Sequence, residues 1–355
     1  MSKKYAVIMA GGYGERFWPL STKKKPKQLL DIIGDKPLIV QTVERINKII
    51  SNENILIITN KDLVKPIKKI TPNIPEENII GEPLSKDTAV AIALAAAIIK
   101  NKDPDGVFCV LSADHVIEEI DIFNDTINDS MELASKNNVL ITIGIKPTYP
   151  ATGFGYIKIN GYFKNKKNYF NTHSFFEKPD IDKAKKYTND KSFYWNAGIF
   201  VWSVESLENA FEKFSNDHYQ FMIKLFGYAQ KNQLEQGMEN LYPKQEKISI
   251  DYALMEKADN IVLTSAKFLW DDVGSWKALE NHFNQDEFNN TIIGSADILN
   301  SHRNIVYSKN YSVALIGVDD LVIVESEKSI LVCKKDDTEQ IKLLLNHKKI
   351  KKISS

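Results

Sequence analysis

The sequence predicts an α/β fold: a Rossmann-like, mixed but mainly parallel sheet flanked by helices, followed by a small C-terminal β domain. Three observations carry this expectation. Apolar runs alternate with helical patterns from residue 5 to about residue 150, as in a parallel sheet covered on both faces. The first apolar run feeds a glycine-rich loop, Gly11-Gly12-Tyr13-Gly14, and a strand running into such a loop usually handles phosphate. From about Thr291 the texture changes to short β-rich segments.

The elements follow in order. Short apolar runs at 5–10, 55–60, 79–82, 107–114 and 139–146 read as buried strands. Helical patterns lie between them at 37–50, 61–70, 87–100 and 120–136. The third is the clearest, with Asp87-Thr88 opening the alanine-rich run AVAIALAAAIIK. Further on, GYIKING, SFFEKPD and YWNAGIFVWS read as strands, and 205–230 as one long helix. A polar cluster, NQDEFNN, sets a boundary between a first domain, 1–286, and a second, 287–355. In the second, IIGSADI, NIVYS, YSVALIG, LVIVES and SILVCKK read as strands, and 337–346 as a final helix. The basic tail, HKKIKKISS, is expected to be frayed and solvated.

Composition narrows the function. Hydrophobic residues make up 43% of the 355, enough for a real core. Lys and Arg number 46 and Asp and Glu 46, which disfavours a nucleic-acid binder. The two cysteines, Cys109 and Cys333, build neither a disulfide framework nor a cysteine zinc site. The N-terminus is too quickly interrupted for a signal peptide, and the longest apolar run, 89–99, is too short to span a bilayer. A soluble, cytoplasmic protein with no membrane partner is expected. Only Arg16, Arg45 and Arg303 are arginines. An arginine in so lysine-rich a chain suggests a use for its planar fork.

The loop excludes two familiar machines. A dinucleotide fingerprint needs a third glycine where Phe17 stands, and an acidic residue where the second strand ends in Thr59-Asn60. No G-x-x-x-x-G-K-[ST] segment occurs. What remains is flexible backbone at Ala10, Gly11, Gly12 and Gly14, then Arg16 and Lys27. Those cations suit a pyrophosphate leaving group; a structural turn with two surface cations fits equally well.

The stretch GGYGERFWPLSTKKKPKQLL resembles the signature of sugar-phosphate nucleotidyltransferases in their mannose-1-phosphate guanylyltransferase form. The family has G-G-x-G-x-R-[hydrophobic]-W-P-L-S followed by P-K-Q. Phe17 and Thr22 depart mildly, where leucine and arginine are common. The resemblance continues through GEPLSKDTAVAIALAA, LSADHVI, GIKPTYPATGFGYI, FFEKPD, YWNAGIFVW, ISIDYALMEK and WDDVGSW, and ends in DLVIVESEKSILVCKK. It implies a nucleotidyltransferase or GT-A-like sheet and transfer of GMP from GTP to mannose 1-phosphate, giving GDP-mannose and pyrophosphate; the alternatives are another nucleotide or hexose 1-phosphate, or a non-catalytic sugar-nucleotide sensor. Such a transfer needs positioning and charge neutralisation more than acid or base.

The resemblance also assigns residues. Asp114 and Asp272 match the aspartates that hold Mg²⁺, although either also reads as a strand-end turn residue. Asp271 is an alternative to Asp272 that the W-x-D-x-G spacing disfavours. Lys178 matches the contact to the sugar 1-phosphate, and Glu177 the acceptor of sugar hydroxyls. Gly153, Asn196 and Gly198 match positions lining the sugar pocket. Asn196 interrupts an apolar strand, and a backbone partner would satisfy it as well as a sugar. Glu82, ending the third strand, suits guanine, whose N1–H and N2–H₂ form a donor pair for a carboxylate. Asp87 and Thr88 fall on the base or ribose side, while Asp87 also reads as a helix-start charge. Ser249 and Asp251 read chiefly as a helix start. The C-terminal segment implies a short left-handed β-helix and a homodimer. The isomerase domain of longer relatives lies beyond this chain, so mannose-6-phosphate isomerase activity is not expected.

Overall fold

A computed structural model describes residues 3–346 of the chain; the tail expected to be solvated, 347–355, lies outside the described residues. The chain forms two compact units that interleave along the sequence. One comprises Met1–Gly11, Thr42–Ala113 and Ile117–Trp270, and the other Gly12–Gln41, Asp114–Val116 and Asp271–Ser355.

The first unit is built on a nine-stranded sheet. Its strands lie in the order Ile79–Glu82, Ile55–Asn60, Lys4–Ala10, Val107–Ser112, Phe193–Ser203, Leu140–Ile145, Ile261–Ser265, Tyr169–Phe176 and Tyr156–Tyr162. The first four run parallel, as do Leu140–Ile145 and Ile261–Ser265. Phe193–Ser203 is antiparallel to both of its flanking strands, and the pairings at the far edge are also antiparallel. The mixed, mainly parallel sheet is therefore the one expected. The strand Ile261–Ser265 adds to those read from the sequence; its run IVLTS is short but β-branched.

The helix Thr88–Lys102 explains its own composition. Every residue from Ala89 to Ile99 is buried. A helix apolar on all sides belongs inside a core, and this one packs against the helix Asn216–Ala229. Among the described residues no helix is long and apolar enough to cross a membrane. The long helix expected over 205–230 is instead two, Val204–Phe214 and Asn216–Ala229. Ser215 breaks it, with φ −153 and ψ 64, a conformation no helix interior tolerates. Likewise Val107–Ser112 stops short of Asp114, which lies in the following turn.

The second unit centres on a four-stranded sheet, Thr291–Leu299, Ile305–Ile316, Leu321–Glu325 and Ile330–Lys334. The two segments expected separately as NIVYS and YSVALIG are one strand, Ile305–Ile316, whose pairing shifts register opposite Gly294 and Ser295. Its first three strands are parallel neighbours joined by short turns rather than by crossover helices. Such coiling is the signature of a β-helix-like solenoid. The final helix expected over 337–346 starts as a tight 3₁₀ stretch, Lys335–Gln340, and becomes α-helical only over Ile341–Asn346. The core of this unit joins early and late sequence: Phe17, Trp18, Leu30, Trp276, Leu279, Ile305 and Val322 form one cluster.

In the first unit Trp202 anchors the reversed strand. It is fully buried, stacks on Phe200, and its Nε1–H donates to the Ile141 carbonyl at 3.1 Å. Trp202→Ala is expected to lower unfolding free energy by about 3–5 kcal/mol, and Trp202→Phe by about 1–2 kcal/mol through the orphaned carbonyl. Denaturant unfolding measures both, and a Trp202→Phe variant as stable as the wild type would contradict the hydrogen bond's role.

Candidate active site

The second unit brings together Gly12, Gly14, Arg16, Lys27, Asp114 and Asp272. Lys27 begins a short 3₁₀ turn after Pro26 and is 3% exposed. Its Nζ lies 3.1 Å from Asp114 Oδ2, donates to the Asp272 backbone carbonyl at 2.6 Å, and sits 5.4 Å from the Phe17 ring centre. A buried ammonium persists only when paired in this way. Gly14 is what lets Lys27 approach: its φ is +61, and a Cβ there would stand 2.3 Å from Lys27 Cβ. The Gln28 side chain donates to the Gly12 carbonyl at 3.0 Å, fixing the loop onto the same turn. The Arg16 Nε lies 2.5 Å from Glu339 Oε2.

The neighbouring aspartates behave differently. Burial pushes Asp271 up, but hydrogen bonds from His282, Asn281 and the Val273 N–H outweigh it and hold its carboxyl below the usual range. Asp271 is thus fully engaged. Among the described residues no side chain hydrogen-bonds the Asp272 carboxylate. Burial pushes Asp272 up to about 6; Lys27 opposes this, while Asp271 and Asp114 add to it. Val273, the next residue, has φ 47. A β-branched residue there is strained, and such strain tends to gather at functional sites.

The first unit holds two further groups. In one, the Thr59 hydroxyl donates to the Ala10 carbonyl and the Asn60 amide to the Gly11 carbonyl, both at 2.9 Å. Glu82 is 7% exposed and accepts from the Tyr242 hydroxyl at 3.1 Å. Burial pushes its carboxyl up to about 7, against the Tyr242 hydrogen bond and with Asp87 adding. Asp87, at φ 71, accepts from the Thr88 N–H at 2.8 Å and so caps its helix. The Thr88 hydroxyl accepts from the Ile250 N–H at 2.8 Å.

The other group surrounds the end of the strand Tyr169–Phe176. Glu177 Oε1 pairs with Lys178 Nζ at 3.0 Å, while Glu177 Oε2 is buried without a hydrogen-bond partner. Lys178 is held at φ 45. Asn196 Oδ1 accepts from the Gly198 N–H and the Thr142 hydroxyl, and its Nδ2 donates to Asp251 Oδ1 at 2.9 Å. A side chain, not the backbone alone, therefore satisfies Asn196. Gly198 has φ +66, which allows its N–H to turn back onto Asn196. A Cβ on Gly153 would meet nothing within 4 Å, so that position borders open space.

Two members escaped the sequence. Asp251 opens a π-helical turn, Asp251–Met255, rather than an ordinary helix, and its carboxyl faces Asn196. Its place in ISIDYALMEK was visible; its neighbours, distant in sequence, were not. Tyr242 gave no signal, because a tyrosine after a short helix is usually core.

The chain is a nucleotidyl transferase. The nucleotidyl transferase family model matches residues 5–288, and the MannoseP isomerase/GMP-like beta-helix domain model matches residues 297–347. A mannose-1-phosphate guanylyltransferase of Salmonella muenchen is 33% identical over 361 residues, covering 98% of this chain and 74% of that protein. Mannose-1-phosphate guanylyltransferase 2 of Escherichia coli O157:H7 is 32% identical over 360 residues, covering 97% and 73%. A crystal structure from Thermus thermophilus, described as a mannose-1-phosphate geranyltransferase, matches with TM-score 0.86 and 30% identity, covering 99% of this chain and 100% of that one. The chain belongs to the mannose-1-phosphate guanylyltransferase family of nucleotidyl transferases.

The raised Glu82 carboxyl has a thermodynamic consequence. Its folded pKa exceeds the ordinary 4.5, so its contribution to stability is fully present below about 4.5 and is lost as pH rises to about 7. Relative to Glu82→Gln, the wild type without ligand is expected to lose on the order of 3 kcal/mol across that window. Unfolding titrations at several pH values check this; a difference independent of pH would contradict it.

Proposed function

We propose that the protein transfers GMP from GTP to α-D-mannose 1-phosphate, releasing pyrophosphate and forming GDP-mannose. The observation that carries the reading is the buried Lys27, paired with Asp114 and bound to the Asp272 carbonyl beside a glycine loop. A sugar-phosphate oxygen bonds to the α-phosphorus as the bond to the pyrophosphate oxygen breaks. The backbone of Ala10, Gly11, Gly12 and Gly14 cradles the triphosphate, and Arg16 and Lys27 neutralise the departing pyrophosphate. For Arg16 this means leaving Glu339. Glu82 reads guanine by accepting from its N1–H and N2–H₂, with Asp87 and Thr88 on the ribose side. Lys178 holds the sugar phosphate, Glu177 accepts from sugar hydroxyls, and Gly153, Asn196 and Gly198 line that pocket. Catalysis rests on positioning and charge.

Asp114 and Asp272 would hold Mg²⁺. The donor set fits: two carboxylates, one without side-chain hydrogen-bond donors and pushed up by burial, with its acidic neighbours adding, suit an ion that takes its remaining ligands from phosphate and water. Bound there, the ion would polarise the α-phosphate and offset the charge of the triphosphate. Asp272 is the preferred second ligand because Asp271 is already engaged by three donors.

The same reading takes 1–286 as the catalytic domain and 287–355 as a β-helix-like domain, supported by family matches that end at 288 and begin at 297. A left-handed coil, a homodimer and a cytoplasmic location belong to it as well.

The test is a matrix of GTP, ATP, UTP and dTTP against hexose 1-phosphates with Mg²⁺, reading pyrophosphate release. GTP with mannose 1-phosphate is expected to give the highest kcat/KM. No turnover with any pair would defeat the enzyme reading, and turnover with UTP or dTTP but not GTP would defeat the role of Glu82.

A further inference from the structure

Asp251 opens its π-helical turn, and its carboxylate reaches across to the Asn196 amide. The charges that act on its carboxylate are those of Glu177 and of one cation, Lys178, and the Glu256 carboxylate also reaches this corner, accepting from the Glu177 N–H at 3.1 Å. Two acids placed together against one lysine carry an uncompensated charge, which is costly unless donors arrive from elsewhere. Burial, with Glu177 adding, pushes Asp251 up to about 7 despite Lys178 and the Asn196 hydrogen bond.

The local hydrogen bonds show where a donor is missing. The Asn196 amide is fixed, since turning it over would set its NH2 against the Gly198 N–H and its oxygen against the Asp251 carboxylate. Among the described residues no other side chain hydrogen-bonds the Asp251 carboxylate. Glu177 Oε2 is buried and has no partner at all. It lies against Gly155, where a Cβ would stand 2.5 Å from that oxygen and 3.4 Å from Asn196 Cβ. Gly155 thus keeps room between Glu177 and Asn196. A buried acceptor without a donor, Glu177 Oε2, and a second carboxylate whose one side-chain donor is Asn196, set on either side of a fixed amide, match a ligand with adjacent hydroxyls.

We propose that Asp251 is a specificity-determining residue for the sugar: its carboxylate, beside that of Glu177, accepts the hydrogen of one ring hydroxyl of the hexose 1-phosphate. This rests on the guanylyltransferase reading and deepens it. Glu177 and Asp251 receive two hydroxyls of one face, Lys178 takes the phosphate, and the Asn196 amide holds Asp251 in place. A hexose with one hydroxyl inverted leaves one of these carboxylates buried without a donor.

The test is Asp251→Asn, which keeps an oxygen for Asn196 and removes the charge. With folding checked by circular dichroism and unfolding midpoint, KM for mannose 1-phosphate is expected to rise about 10- to 100-fold while KM for GTP changes less than about twofold. Asp251→Glu, which keeps the charge and displaces it, is expected to show the same selective loss. Single-deoxy analogues of mannose 1-phosphate separate contact from scaffolding. For one analogue, wild type and Asp251→Asn should have equal kcat/KM, because the partner hydroxyl is already gone. A uniform loss across mannose 1-phosphate and every deoxy analogue, or no loss at all, overturns the proposal while leaving the guanylyltransferase reading intact. A wild type inert toward mannose 1-phosphate with every nucleotide overturns both.

Discussion

The ammonium of Lys27 is the constraint on which the rest of the site depends. It is nearly inaccessible to solvent, paired with the Asp114 carboxylate and bound to the Asp272 carbonyl. Removing an ammonium from water costs several kcal/mol unless its partners are well placed. Lys27 and those partners come from three separate segments of sequence, so the chain must bring 12–41, 114–116 and the segment from Asp271 onward into one unit. Phe17, Val273 and Trp276 in the core cluster, and Trp276 Nε1–H donating to the Trp18 carbonyl, hold that arrangement. Gly14 follows from the same constraint, since any side chain there would collide with Lys27.

Elsewhere the molecule stores acidity in reserve. Glu82, Asp251 and Asp272 all have carboxyls pushed up by burial, to about 7, 7 and 6. Each group belongs to a different task in the proposed reaction: the base, the sugar and the metal. Acids held in this way gain most from incoming donors or cations. The backbone shows the same bias, with Asp87, Lys178 and Val273 in the left-handed half of conformational space. Each is, or adjoins, a residue with a proposed role, and none is a glycine that would tolerate the conformation freely.

Much of this was legible in the sequence. The strand and glycine loop, the buried alanine-rich helix and the change of texture near Thr291 each carry a periodicity or a composition that physics ties to one structure. The break at Ser215 was not legible, because the apolar spacing on either side suits a helix. The fusion of two strands into Ile305–Ile316 was hidden because a register shift, not a turn, lies between them. At the site, Arg16, Lys27 and Glu82 stood out through residue type and position after a strand. Asp251 and Tyr242 did not, since what gives them meaning is Asn196, 55 residues away, and Glu82, 160 residues away. Contacts of that range leave no local pattern. Between Asp271 and Asp272 the W-x-D-x-G spacing favoured Asp272, and the three donors that engage Asp271 point the same way.

The most direct measurement is kcat/KM of Lys27→Met for GTP and mannose 1-phosphate at saturating Mg²⁺, corrected for the folded fraction. Methionine preserves much of the length and removes the charge. If Lys27 neutralises the departing pyrophosphate, kcat/KM falls about 100- to 1000-fold, and the loss appears in kcat. Wild-type turnover in the folded variant would contradict the account, leaving Lys27 as a structural ion pair alone.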